Sequence, residues 1–228
     1  MSYTHSLAKV ADYNITDTKI TDPATGWDVM SEWERPIMVK HAEQVCANGG
    51  HILESGFGLG ISADLIQGYD IESHTIVEIN DEIYDRLVAW AADKPNVIPV
   101  KGDWATATPT DRKYDGVFYD SYGDEFNKPE FPELIAKHCK VGTIVTWYNN
   151  ILQESSIYSS GYSDIPSYWN DNRINYETVS VSIPDSARVK WYLEGSGNTY
   201  YAPALTVNSD EINTDKLKDI SLKHYNKW

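Results

Sequence analysis

The sequence predicts a three-layer α/β fold with a mostly parallel sheet that ends in an antiparallel hairpin. Three observations predict it. From His51 to Tyr148, short apolar runs alternate with helical patterns, and such alternation buries a parallel sheet between helices. The first of these strands runs into a glycine-rich loop, Gly56-Phe57-Gly58-Leu59-Gly60, and then into a helix. That arrangement places free backbone N–H groups around a ligand. After Ile174 two period-two runs flank the turn Gly195-Ser196-Gly197-Asn198, which reads as a hairpin.

The elements follow in order. Residues 1–26 are mixed, with turn signals at Asp22-Pro23 and Thr25-Gly26; one short helix and then an irregular arm is expected. Residues 27–228 are read as a single domain. Apolar spacing from Trp27 to Ala47 fits a helical face, with the helix proper starting at Pro36 and closed by Gly49-Gly50. After the His51–Leu53 strand end come a helix over Leu59–Gln67, a strand over Thr75–Ile79 and a helix over Asp81–Ala92 capped by Asn80. Strands follow at Val97–Lys101 and Tyr114–Tyr119, then a helix at Glu130–Lys140 and a strand at Thr143–Tyr148. Ser155–Asp171 reads as a loop. The hairpin strands are Ile174–Ile183 and Thr199–Val207, and Pro203 argues for an edge or a bulge there.

Composition bounds the partners. With 228 residues, 41% of them hydrophobic and 23% charged, the chain suits one globular domain. No apolar run approaches the ~20 residues of a membrane span. The start, MSYTHSLAKVADYN, lacks a basic stretch followed by an apolar core, so a cytoplasmic protein is expected. The net charge of −15 argues against nucleic acid and is compatible with a cationic small substrate. Cys46 and Cys139 read as core or semi-buried thiols in helical patterns. The six histidines lack metal-ligand spacing, so no metal is expected.

Ligands of such sheets bind at the carboxyl ends of the strands. Glu54, Glu78, Asp103 and Asp120 all fall at or near such ends. Glu78 follows Gly60 by 18 residues, a placement that suits a ribose diol because a carboxylate accepts from both hydroxyls. The loop has Ile61 where a strict dinucleotide fingerprint needs glycine. With the leading Glu54 it looks more like the S-adenosylmethionine loop of class I methyltransferases.

The segments VMSEWERPIM, LESGFGLGIS, IVEIND, VIPVKGDW, GVFYDSY and TYYAPAL occur in this order, and on them the chain resembles the guanidinoacetate N-methyltransferase family. The resemblance runs from about Met30 to Leu205. It implies a class I methyltransferase, Rossmann-like three-layer sandwich with a seven-stranded sheet, and S-adenosylmethionine as cofactor. It implies that Glu34 binds the guanidine and that Asp120 is the catalytic aspartate, with Tyr122 alongside. Gly56, Phe57, Gly58, Leu59, Gly60 and Ile61 match the cofactor loop, Glu78 the ribose carboxylate and Trp104 the aromatic beside the adenine. Asp103 stands where other class I methyltransferases accept from the adenine amino group. Met30 and Met38 match methionines lining the site, on the cofactor and substrate sides respectively. In such enzymes an N-terminal arm often closes over the cofactor. Asn150-Ile151 stands near the family's Leu-Thr pair that offers backbone atoms to substrate, a departure that bears on the acceptor's tail.

The chemistry is consistent with this. A guanidinium and a sulfonium are both cations, and at an effective dielectric of ~20 they repel by roughly 4 kcal/mol at ~4 Å. Two carboxylates offset that repulsion and hold the guanidinium by paired hydrogen bonds. The expectation is direct in-line methyl transfer to a small guanidino compound, guanidinoacetate first, by a monomer or homodimer. The alternatives are another guanidine such as arginine, aminopropyl transfer, or cofactor binding without catalysis.

Overall fold

The computed structural model describes residues 12–122, 136–148, 174–188 and 197–208. The chain begins with β1 (Asn14–Ile15), β2 (Lys19–Thr21) and β3 (Asp28–Ser31), an antiparallel three-stranded meander. A 3₁₀ turn at Glu32–Glu34 leads into α1 (Arg35–Val45). Then follow β4 (His51–Ser55), α2 (Ile61–Ile66), β5 (Ser73–Glu78), α3 (Asp81–Ala91), β6 (Val97–Lys101), α4 (Trp104–Ala107) and β7 (Tyr114–Tyr119). Finally come β8 (Cys139–Trp147), β9 (Ile174–Ser180), α5 (Asp185–Arg188) and β10 (Thr199–Thr206).

The main sheet has seven strands in the order β6-β5-β4-β7-β8-β10-β9. The first five run parallel, and β10 is antiparallel to both β8 and β9. Every residue of β5 is buried, as expected for a parallel strand covered on both faces. Strand alternation sorts the core into two layers. Ile52, Phe118 and Ala202 pack under Ile37, Met38, Ala42 and Val45 of α1. Leu53, Val117, Tyr119, Val145, Trp147 and Leu205 face the other way. Pro36 sits in the first turn of α1, where the missing N–H costs nothing. Asn80 caps α3 by accepting from the N–H groups of Glu82 and Ile83. Among the described residues, no helix is long and apolar enough to cross a membrane.

The expected α/β architecture with its hairpin is the observed one, and the structure corrects several of its details. Residues 14–31 form the meander in place of an irregular arm and a helical face. Its strands are two to four residues long, too short to leave a period in the sequence. Strand β3 pairs with β2 across the boundary drawn at residues 26 and 27. Cys139 and Lys140 open β8 and are not helical; the rest of the expected Glu130–Lys140 helix lies largely outside the described residues, as do Ser155–Asp171 and the tail from 210. Pro203 lies in β10, an interior strand. It is accommodated because the β8 ladder reaches only Leu205 and Thr206, while the Pro203 carbonyl accepts from the Thr146 hydroxyl.

Candidate active site

The carboxyl ends of β4, β5, β6 and β7 open into one cleft, the place where sheets of this kind bind ligands. Its floor is the loop after β4. Gly56 has φ +89° and donates to the Val77 carbonyl at 2.9 Å. A Cβ there would sit 2.1 Å from the backbone oxygen of Asp120, so only glycine lets the loop pass the end of β7. At Gly58 a Cβ would meet the Met30 sulfur at 2.6 Å. That sulfur accepts from the Leu59 N–H at 3.2 Å, which ties the meander to the loop.

One side of the cleft is rich in acceptors. Glu78 lines it with its oxygens held by backbone N–H groups, among them Phe57 at 2.9 Å and Asn80 at 2.7 Å, with Ile79 and Gly58 alongside. Burial raises its carboxyl, and these hydrogen bonds oppose the rise. Asp103 caps α4 through the Ala105 N–H at 2.8 Å. Trp104 is buried edge-on to Tyr119, with ring centroids 5.0 Å apart. Asp103 and Trp104 line the same cleft. This set of a diol-capable carboxylate, an acceptor and a flat apolar wall, beside a glycine loop that admits no Cβ, fits a donor-rich nucleoside such as S-adenosylmethionine.

Asp120 lines the same cleft, and Glu34, which is not among the lining residues, lies close enough to act on it electrostatically. Glu34 ends the turn before α1 and is nearly buried, 9% exposed. Its Oε2 accepts from the Ser31 N–H at 2.7 Å and its Oε1 from the Tyr148 hydroxyl at 2.6 Å. Burial pushes its carboxyl up to about 7, against the pull of those two donors. Asp120 follows β7, its N–H bonded to the Ser55 carbonyl at 3.0 Å. Burial and the charges of Glu34 and Glu54 hold its carboxyl well above the usual carboxylate range. Among the described residues, no lysine or arginine lines the cleft.

The structure brings together Met30, Gly56, Phe57, Gly58, Glu78, Asp103, Trp104, Asp120 and Tyr122 on this cleft, with Leu59 and Gly60 completing its loop. Glu34 stands beside Asp120 but outside this lining, and other expected site residues stand elsewhere. Glu54 shares the strand face of Ile52 and is fully buried under α2. Its carboxylate takes the Ser62 hydroxyl and lies 2.9 Å from His74 Nε2, so it does not line the cleft. Ile61 packs in the core as the first residue of α2. Met38 is 1% exposed within the α1 core cluster; its helical position faces the sheet and not the cleft. The Tyr122 hydroxyl turns to Asp22 at 3.3 Å and to Thr25 at 3.4 Å. Asn150 and Ile151 lie outside the described residues.

Sequence reasoning missed Tyr148, Tyr13, Asn80 and Ser121 as neighbours of the site. Tyr148 carried a usable signal, since it directly follows a parallel strand adjacent to β7. Tyr13 carried none, because the meander brings it there.

Comparison with known proteins agrees with the geometry. The model of the family described as guanidinoacetate N-methyltransferase matches residues 3–181. A protein arginine N-methyltransferase 2 from Kluyveromyces lactis is 27% identical over 137 residues, covering 53% of this chain and 33% of that protein. The chain thus spans about a third of the length of that relative. Among solved structures, spermidine synthase from Thermotoga maritima aligns with a TM-score of 0.58 at 14% identity, covering 94% of this chain and 77% of the other. The N-methyltransferase NodS from Bradyrhizobium japonicum aligns with a TM-score of 0.55 at 9% identity, covering 78% and 97%.

Proposed function

The chain belongs to the guanidinoacetate N-methyltransferase family, and on that premise we propose that it is an S-adenosylmethionine-dependent N-methyltransferase of a small guanidino compound, with guanidinoacetate the first candidate. One observation carries the acceptor class. Asp120 lines a cleft whose described lining holds no lysine or arginine, the buried Glu34 lies close enough to act on it, and each carboxyl is raised by burial. Such a pair is poorly balanced until a cation arrives, and a guanidinium is a planar cation that two carboxylates hold well.

When bound, the cofactor supplies an electrophilic methyl group on a cationic sulfur. Glu78 holds the ribose hydroxyls, Asp103 and Trp104 the adenine, and the glycine loop the remainder of the molecule. Glu34 binds the acceptor guanidinium edge-on and neutralises its charge next to the sulfonium. Asp120 takes the proton that the attacking nitrogen gives up as it becomes more acidic during transfer. Its raised carboxyl makes it a better base than an ordinary aspartate. Fixing nitrogen and methyl group at contact distance supplies the rest of the acceleration.

The test is transfer from methyl-labelled S-adenosylmethionine to guanidinoacetate, with arginine and 4-guanidinobutyrate run beside it. Label in the guanidinoacetate product supports the reading, and label in none of the three overturns it. The arginine methyltransferase relative favours a second reading, methylation of an arginine side chain. Label in arginine or an arginine peptide, and not in guanidinoacetate, would establish that one instead.

A further inference from the structure

We propose that the Tyr148 hydroxyl is a positioning group for Glu34, fixing the plane in which that carboxylate receives the acceptor guanidinium; the inference rests on the guanidine reading above. A bidentate guanidinium–carboxylate pair requires the two groups to be coplanar. A carboxylate held at one oxygen can still swing about its last bond, whereas one held at both cannot. Ser31 holds Oε2 from within the same turn, and Tyr148 holds Oε1 from the end of β8, 114 residues away in sequence.

Tyr148 is itself well fixed. Its N–H bonds the Tyr119 carbonyl at 3.0 Å, next to Asp120 in the chain. Its ring packs on Tyr200 with centroids 5.7 Å apart. The Tyr200 hydroxyl lies 2.9 Å from His41 Nε2, and His41 Nδ1 lies 2.6 Å from the Thr146 hydroxyl. One phenol therefore registers Glu34 on the same backbone that carries Asp120, so the two carboxylates hold a common spacing. Burial and the neighbouring carboxylates raise the phenol well above its usual range, which keeps it a donor at working pH.

The test is Tyr148→Phe, a near-isosteric loss of the hydroxyl. The Glu34 side-chain carboxyl is titrated by carbon-13 NMR without substrate, its signal assigned by its loss in Glu34→Gln. In Tyr148→Phe the midpoint is expected to move up by about one pH unit, the size of one hydrogen bond to a charged group. The KM for the guanidine is expected to rise about tenfold, with cofactor affinity unchanged. An unmoved midpoint, or a moved midpoint with wild-type KM, overturns the proposal. If Tyr148→Phe does not fold, the Tyr148 hydroxyl proton decides: it gives a low-field signal in the wild type that moves upfield in Glu34→Gln, and its absence from the wild type overturns the proposal. A folded wild type that methylates no guanidine overturns the functional reading instead, while the Glu34 midpoint still measures the hold of Tyr148.

Discussion

Replacing Glu34 by glutamine is expected to stabilise the free protein while stopping its chemistry. Burial raises the Glu34 carboxyl from 4.5 to about 7. The gap of 2.5 (7 − 4.5) corresponds to about 3.4 kcal/mol at ~1.36 kcal/mol per pH unit, a penalty on the ionised native state. The sign follows from proton uptake. Between the two values the native chain keeps a proton that the unfolded chain has released, so stability falls as pH rises through that window. Above about 7 the whole penalty is present. Glutamine never ionises. Its carbonyl can accept from Ser31 and its amide can donate to the Tyr148 oxygen, so both contacts survive. Urea unfolding at about pH 8.5 should find Glu34→Gln more stable by roughly 3 kcal/mol, and at about pH 5 by less than ~1 kcal/mol. Methyl transfer to the guanidine should fall by more than about a hundredfold, because the acceptor loses its counter-charge and its orientation. A stability gain that is absent, or equal at both pH values, would refute the reasoning.

Other outcomes follow from the same geometry. Gly56→Ala sets a Cβ against the Asp120 carbonyl and strains a positive φ; calorimetry should show at least about a tenfold loss of cofactor affinity and unfolding a loss of roughly 2 kcal/mol, and wild-type binding would count against the loop's role. Asp120→Asn should bind cofactor within a few-fold of wild type and lose about 10²–10⁴ in turnover; near-normal turnover would remove Asp120 as the base. Glu54→Ala leaves His74 and Ser62 without their buried partner; it should cost roughly 1–3 kcal/mol, with cofactor affinity in the folded protein within about threefold, and a larger affinity loss would return Glu54 to the cleft. The wild-type kcat/KM should rise with pH by at least about tenfold per pH unit below about 7, where Glu34 ionises, and flatten only once Asp120, also raised, has ionised; a flat profile below 7 would mean that acceptor binding does not need the ionised form.

Sequence reasoning reached the parallel half of the sheet because its strands are long, apolar and separated by helices of a different period. It reached the glycine loop and Glu78 because backbone chemistry demands glycine where β4 meets β7 and an acceptor at the end of β5. It failed where tertiary contacts decide. Two- and three-residue strands such as β1 and β2 exist only through their pairing with β3. Glu54 sits at a strand end like Asp120, yet the pleat turns it under α2 onto Ser62 and His74. Nothing local distinguishes Met30, whose sulfur caps the loop, from Met38, which fills the core. Tyr148 was visible by position, but its partner Glu34 lies 114 residues earlier.

The contact between Gly56 and the Asp120 carbonyl has a consequence for redesign. The loop that seats the donor and the residue that serves the acceptor approach each other main chain to main chain, with Ser55 and Ser121 hydrogen-bonded beside them. Under the proposed roles, their spacing is therefore inherited from the register of β4 against β7. Widening the enzyme for a bulkier acceptor by altering the glycine loop would shift donor and base together and gain no room between them. The adjustable wall is the opposite one, where the start of α1 meets the end of β8 and both contacts to Glu34 can be exchanged one side chain at a time.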